Sequence, residues 1–256
     1  MIVLCIGDVV GNIGLKFLQK HLSKLRAEYR ADLVITNGEN QSNGRGLDMA
    51  GADSMFMAGV DIITGGNHIF QRSEIFGMLD DNPSLLRPAN YPSANPGKGY
   101  ALLNVGSRRV LVLNLLGSVF IESPESPFPC ADRVLKHLEG QYDIAVVDIH
   151  AEATSEKIAL GKYLDGRASV VFGTHTHVQT ADEKILPGGT GYITDLGMTG
   201  PIDSILGVKN SIIIKHFLDY LPARFDIADG QCSLEGAVFE IDDASGRCVR
   251  VERVRI

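Results

Sequence analysis

The 256-residue chain has no tryptophan, only four cysteines, and no lysine- or arginine-rich run. Nor does it have an apolar stretch near the roughly 18 residues that a membrane helix needs, so it offers no candidate span and no membrane partner is expected. The cysteines, Cys5, Cys130, Cys232 and Cys248, show neither C-x-x-C spacing nor a dense framework. A disulfide scaffold and a thiolate zinc site are therefore excluded, and reduced thiols in a cytoplasmic protein are the expectation. The start, MIVLCIGD, has no basic segment and meets a charge at Asp8, unlike a secretory signal. Charge of one sign is also short: 24 bases against 31 acids leave a net charge of −7, with basic residues clustered no further than pairs such as Arg108-Arg109. A protein that grips long nucleic acid carries a basic face, so a duplex partner is disfavoured. A small phosphorylated partner stays open, because bound metal ions can meet its charge.

What is present is a repeated pattern. Short apolar runs rich in β-branched residues end abruptly in polar clusters, at 2–6, 33–36, 60–64, 110–116, 144–149, 169–172 and 192–194. Runs without alternation predict strands buried on both faces. Helical periods lie between them: Leu15, Leu18, Leu22 and Leu25 form one stripe, and 49–58, 73–79 and 154–164 also read as helices. Alternating strands and helices predict an α/β protein with a mostly parallel sheet. From 172 to 192 there is little room for a helix, and 237–256 alternates in strand fashion about an Asp-Asp-Ala-Ser-Gly turn. A two-sheet sandwich with outer helices fits this better than a uniform (β/α)8 barrel. The Pro-rich stretches 83–97 and 124–129 read as long loops over one face. With no linker and no internal repeat, one domain over residues 1–256 is expected.

Five polar clusters follow these runs: Gly7-Asp8, Asn37-Gly38-Glu39-Asn40, Gly65-Gly66-Asn67-His68, Asp148-Ile149-His150 and Gly173-Thr174-His175-Thr176-His177. In open α/β sheets, ligands bind outside the carboxyl ends of the strands. Asp8, Glu39, Asn67, His150, His175 and His177 supply carboxylate, amide and imidazole donors and no thiolate, which suits manganese, iron or zinc. The set exceeds what one tetrahedral ion needs and suits two ions sharing a carboxylate. Two ions about 3.5–4 Å apart can hold a hydroxide between them for in-line attack at phosphorus. On an extended segment His175 and His177 would point the same way. His68, on a glycine-preceded turn, would reach over the ions as general acid for the leaving oxygen.

Gly-Asp-Val-Val-Gly, Asn-Gly-Glu-Asn, Gly-Gly-Asn-His, the lone His150 after a strand, and Gly-Thr-His-Thr-His occur in the order of the calcineurin-like metallophosphoesterases. More narrowly, the chain resembles the YmdB-like bacterial family from end to end, the segment from Thr194 to Pro201 included. The resemblance implies a four-layer α/β/β/α sandwich. It implies that Asp8, Glu39 and His177 hold one metal, joined by Asn40, and that Glu39 bridges to a second held by Asn67, His150 and His175, with His68 as the acid. Iron or manganese come first as the ions, with zinc also accepted. Position 10 is Val10 where the wider superfamily has a histidine, and Glu39 stands where it usually bridges with Asp. Both departures agree with the YmdB-like subgroup and argue against protein-phosphatase activity. The implied reaction is hydrolysis of phosphodiesters, cyclic nucleotides such as 2′,3′-cyclic AMP among them; the residues themselves do not choose between cyclic nucleotides and RNA ends.

Other residues have plainer readings. His21, His137 and His216 lack partner motifs and read as surface or core histidines. Asp148 shares a strand face with His150 and either orients an imidazole or is a buried strand residue; Asp195 is a smaller candidate of the same kind. Arg45 and Arg87, on expected loops, read as solvated rather than as phosphate clamps. The 7–14 segment fits neither G-x-G-x-x-G nor G-x-x-x-x-G-K-[ST], and there is no G-x-S-x-G elbow. Two competing functions follow from the same donors. One is a regulatory protein that binds a cyclic nucleotide without turnover. The other is an amidohydrolase-type barrel, which requires a helix after the His175/His177 strand. A homo-oligomer is compatible with the pattern and not required by it.

Overall fold

In the computed structural model, which describes residues 1–256, every apolar run singled out above is a strand. The chain opens with β1 (Ile2–Ile6), the two-residue β2 (Asp8–Val9), α1 (Gly11–Tyr29), β3 (Leu33–Asn37), α2 (Met49–Ala58) and β4 (Ile62–Thr64). A 3₁₀ turn at Ser73–Ile75 leads into α3 (Phe76–Asp81), followed by β5 (Tyr100–Val105), β6 (Arg108–Leu116), α4 (Pro127–His137), β7 (Ile144–His150) and α5 (Thr154–Tyr163). Then come β8 (Val170–Thr174), β9 (Lys184–Ile185), β10 (Gly191–Ile193), β11 (Met198–Pro201), α6 (Asn210–Asp219), β12 (Cys232–Ile241) and β13 (Cys248–Arg255). No helix is long and apolar enough to cross a membrane.

The strands form two sheets. One runs β2-β11-β12-β1-β3-β4 with β13 on β12; the other runs β5-β6-β7-β8-β10-β9. Neighbours β1, β3 and β4 are parallel, as are β6, β7, β8 and β10. Successive side chains on a strand face opposite ways, and here both ways are apolar. Val3 and Cys5 join the core between the sheets, with Leu33, Ile35, Val110, Val112, Val146, Val170 and Phe239. Leu4 and Ile6 face the other way, onto the leucine stripe of α1 and Met55 of α2. Leu111 and Leu113 likewise turn outward, onto Cys130 and Val134 of α4 and Leu160 of α5. Helices, sheet, sheet and helices therefore stack in four layers. The two-sheet sandwich is correct and the barrel is excluded.

Three features differ from the sequence reading. The 124–129 stretch is only partly a loop, because Pro127 begins α4, where a proline costs the first turn no hydrogen bond. β5 is an edge strand that alternates in burial, and α6 buries only Ile213, so neither carries a strong apolar period. Residues 83–97 are irregular, as expected, and no helix follows β8.

Candidate metal centre

The carboxyl ends of β3, β4, β7 and β8 converge on one edge of the sandwich, where β2 begins. Asp8 is the first residue of β2, Glu39 and Asn40 follow β3, Asn67 and His68 follow β4, His150 ends β7, and His175 and His177 follow β8. Gly66 lets the β4 turn pass against the His150 ring, into which a Cβ at that position would collide. His175 and His177 do not share an extended segment: their φ angles are +99° and +62°. Both rings reach the centre through this left-handed backbone, not through strand alternation, which corrects the geometric reason given above while keeping both residues at the site. Such φ values are uncommon outside glycine and mark functional turns.

The donors fall into two touching groups. In one, Asn40 Nδ2 lies 3.2 Å from both Asp8 Oδ1 and His177 Nε2, and these two acceptors are 3.7 Å apart. In the other, His150 Nε2 lies 2.9 Å from Glu39 Oε1, 3.2 Å from Asn67 Oδ1 and 3.0 Å from His175 Nδ1. Glu39, His150 and His175 each offer a ligand atom, all within 4.8 Å of one another. Asp8 and Glu39 are wholly buried.

Outer hydrogen bonds decide which ring nitrogens face inward. His175 Nε2 lies 2.9 Å from the Glu152 carboxylate and His177 Nδ1 lies 3.1 Å from Leu206 O. Those oxygens only accept, so the outer nitrogens carry the hydrogens and the inner ones present lone pairs. His150 Nδ1 lies 3.0 Å from Thr174 Oγ1, whose own hydrogen goes to Asp148 Oδ1 at 2.8 Å. Asn37 Nδ2, 3.2 Å from the same ring nitrogen, gives one of its two hydrogens to Gly65 O. Asp148 thus orients His150 through Thr174, and a second hydroxyl, Thr64, holds its other oxygen at 2.5 Å. Burial pushes Asp148 up to about 8 and His150 down to about 4, and lowers His68 and His175. Neutral imidazoles can ligate.

The result is an inward ring of Glu39 Oε1, Asn67 Oδ1, His150 Nε2 and His175 Nδ1 with lone pairs opposed at contact distance. Glu39 Oε1 has no hydrogen-bond donor despite full burial, since its approach to His150 lacks hydrogen-bond geometry. Burial alone drives the Glu39 pKa up. Opposed buried acceptors are unfavourable unless a cation lies among them. On that test the residues fit metal ions.

His68 sits at the rim. Its backbone N–H donates to Glu39 Oε2 at 2.8 Å, and its Nδ1 lies 3.1 Å from Asn40 Oδ1. It lines a cleft of about 700 Å³ with Asn67, Gln71, Tyr91, Phe120 and His175. A larger cavity of about 830 Å³ adjoins through Tyr91 and Pro124 but contains none of the clustered donors. Asp195 supports the histidine loop: its Oδ2 accepts from the buried Lys157 Nζ at 2.6 Å and from the N–H and hydroxyl of Thr176, between the two histidines. Arg87 is not solvated as its loop position suggested: it is buried and donates to the carbonyls of Pro88, Tyr91 and Pro92, whereas Arg45 is exposed, as expected, 5.9 Å over the Phe225 ring. His21, His137 and His216 lie outside the cluster. Sequence reasoning missed the roles of Glu152, Thr174 and Lys157. Glu152 had a visible signal, the Asp148-x-His150-x-Glu152 alternation running off the end of β7, and Thr174 stood unassigned inside the 173–177 cluster.

Comparison with known proteins follows the same lines. A family model described as YmdB-like protein matches residues 4–254. A relative from Bacillus subtilis (strain 168), named 2′,3′-cyclic-nucleotide 2′-phosphodiesterase, is 47% identical over 256 residues, covering 100% of this chain and 97% of the relative. The crystal structure of a hypothetical protein from Thermus thermophilus matches with a TM-score of 0.94 at 41% identity, covering 100% of this chain and 99% of that one. That of a novel phosphatase from Mycoplasma pneumoniae gives 0.93 at 34% identity, with coverages of 100% and 93%.

Proposed function

Because the chain belongs to the YmdB-like family, we propose that it is a dinuclear metal-dependent phosphodiesterase hydrolysing small phosphodiesters, with cyclic nucleotides such as 2′,3′-cyclic AMP foremost and RNA ends next. The observation that carries this reading is the inward ring of lone pairs about the donorless Glu39 Oε1. Asp8, Glu39 and His177 would hold one ion, joined by Asn40 once its amide turns to offer Oδ1 where Nδ2 now faces Asp8 and His177; Glu39, Asn67, His150 and His175 would hold the other. Iron or manganese suits these oxygen and nitrogen donors, and zinc is accepted. When bound, the ions supply positive charge that acidifies water and neutralises the phosphoryl oxygens.

The chain's own groups do the rest. Asp148, acting through Thr174, and Glu152 fix the tautomers of His150 and His175, so the inner nitrogens stay free of protons. The Asn40 amide meets His68 Nδ1 at 3.1 Å, orienting the ring over the cleft. His68 then gives a proton from Nε2 to the departing ribose oxygen. Burial favours its neutral form, while the Glu39 carboxylate 3.6 Å away opposes that and keeps the charged form accessible. The acidic net charge and the absence of a basic run agree with a small substrate rather than a duplex. All four cysteines are free, in keeping with a cytoplasmic setting, and the shared core between the sheets supports one domain over residues 1–256.

The test is elemental analysis of the purified protein together with 2′,3′-cyclic AMP hydrolysis on the same sample with added manganese. About two ions per chain are expected, with Glu39→Gln losing metal and turnover together. Full turnover in Glu39→Gln refutes the assignment. Two ions without turnover on any phosphodiester would make this a metal-dependent binding protein.

A further inference from the structure

Phe120 is out of place by the ordinary rules of burial. It is 89% exposed, more than any other phenylalanine of the chain, and its backbone has φ +63°, a left-handed conformation for a residue with a Cβ. Neither feature helps the fold. Both persist because the loop is pinned on either side. On the near side, the buried carboxylate of Glu156, in the first turn of α5, accepts from Ser118 N–H at 2.9 Å, from the Ser118 hydroxyl at 2.9 Å and from Val119 N–H at 3.2 Å. On the far side, the buried Asn90 amide donates to Ser123 Oγ at 3.0 Å and to Glu125 O at 2.8 Å. The same amide grips Leu116 at both its N–H and its carbonyl. The tip between these clamps presents an unpacked aromatic ring to the cleft shared by Asn67, His68, Tyr91 and His175. Tyr91 is itself held edge-on by Phe70, with ring centroids 5.1 Å apart at 82°.

We propose that Phe120 is the stacking platform for the nucleobase of the substrate, and that it makes the site selective for nucleotides over base-free phosphodiesters. This rests on the phosphodiesterase reading above. In a 2′,3′-cyclic nucleotide, base and phosphate leave the same ribose. A phosphate at the clustered donors therefore puts the base inside the cleft that Phe120 and Tyr91 wall. An exposed ring there gains contact area on stacking without loss of a prior packing partner. Stacking also tolerates any base, since each has a π-face. The clamps hold the ring ready before substrate arrives, which lowers the ordering cost of binding.

The experiment uses the metal-loaded protein and its Phe120→Ala and Phe120→Tyr variants. Binding of adenosine 3′-monophosphate and of base-free ribose 3-phosphate is titrated calorimetrically, and KM and kcat are measured for 2′,3′-cyclic AMP. Phe120→Ala should weaken the adenosine nucleotide roughly tenfold or more and leave ribose 3-phosphate within about twofold, with Phe120→Tyr restoring the difference. KM for 2′,3′-cyclic AMP should rise while kcat holds. Equal weakening of both probes, or none of the nucleotide, overturns the proposal. A mass in solution that falls on Phe120→Ala also overturns it, because the ring would then be packing against a second copy. If the unaltered protein hydrolyses no diester, the phosphodiesterase reading fails, and the two binding constants still decide the platform.

Discussion

Replacing Lys157 by methionine removes one charge from a pair that water does not reach. Lys157 Nζ lies 2.6 Å from Asp195 Oδ2 and 2.9 Å from Thr174 O, and both side chains of the ion pair are about 1% exposed. Methionine keeps much of the aliphatic stem that packs on Gly173, so the loss is electrostatic rather than a cavity. Breaking a buried pair by removing one partner costs about 3–5 kcal/mol, because the other charge stays buried. Here the lower end applies, since Asp195 retains the N–H and hydroxyl of Thr176 and the N–H of Gly197. At roughly 3 kcal/mol, and about 2–4 °C per kcal/mol for a chain of this size, Tm should fall by roughly 6–12 °C. A second consequence separates this from ordinary destabilisation. Asp195 holds Thr176 between His175 and His177, so the variant should bind metal about 10–100-fold more weakly even at temperatures where it is fully folded. Thermal melts and metal titration on the same preparation read the two effects. A Lys157→Met protein with unchanged Tm and unchanged metal affinity would refute the reasoning, and a fall in Tm alone would confine Lys157 to the core.

Two further outcomes follow from the site geometry. His68→Ala should retain its ions by elemental analysis while kcat drops about 10²–10⁴-fold, and loss of metal would make His68 a ligand instead. In the metal-free protein two buried groups pull stability in opposite directions on acidification, His150 and Asp148. An unfolded histidine takes its proton near the ordinary 6.5, whereas buried His150 takes one only at about 4. Between those values the unfolded chain binds the extra proton at this residue, so the His150 contribution declines by up to about 3 kcal/mol as pH falls from 6.5 toward 4, while Asp148, held up to about 8 by burial, contributes in the opposite sense. Urea melts across that range should show the unaltered protein losing stability relative to His150→Gln as pH falls, and identical pH dependences would count against the buried neutral assignment.

Much of the layered architecture was legible in the order of residues. Helix 49–58 was read to its ends, since Asp48 caps it by accepting from Gly51 N–H and Gly59 closes it in the left-handed region. Strand ends were legible because apolar runs stop at glycine and polar residues. α4 was obscured because prolines that begin a helix look, in sequence, like prolines that prevent one. β5 was obscured because an edge strand is half exposed. The metal-type donors were legible for a related reason: Asp8, Glu39, Asn67, His150, His175 and His177 each fall at, or within three residues of, the end of an apolar strand.

What local order determined, then, was periodicity, turn positions and donor chemistry, because each depends on neighbours within a few residues. Only the tertiary structure decided which donors oppose one another. Asn67 and His150 stand 83 residues apart and follow strands of different sheets, yet their side chains meet at 3.2 Å. Glu152, Thr174 and the Lys157–Asp195 pair acquire their roles within one sheet, from the register of β7 against β8, which sets His150 opposite Thr174, and from the packing of α5 on it. The inward lone pairs of the histidines depend on outer hydrogen bonds to residues from 23 to 29 positions away. Those contacts leave no periodic trace in the chain, since they are set by strand register and by where neighbouring loops meet and not by any one element's own preference.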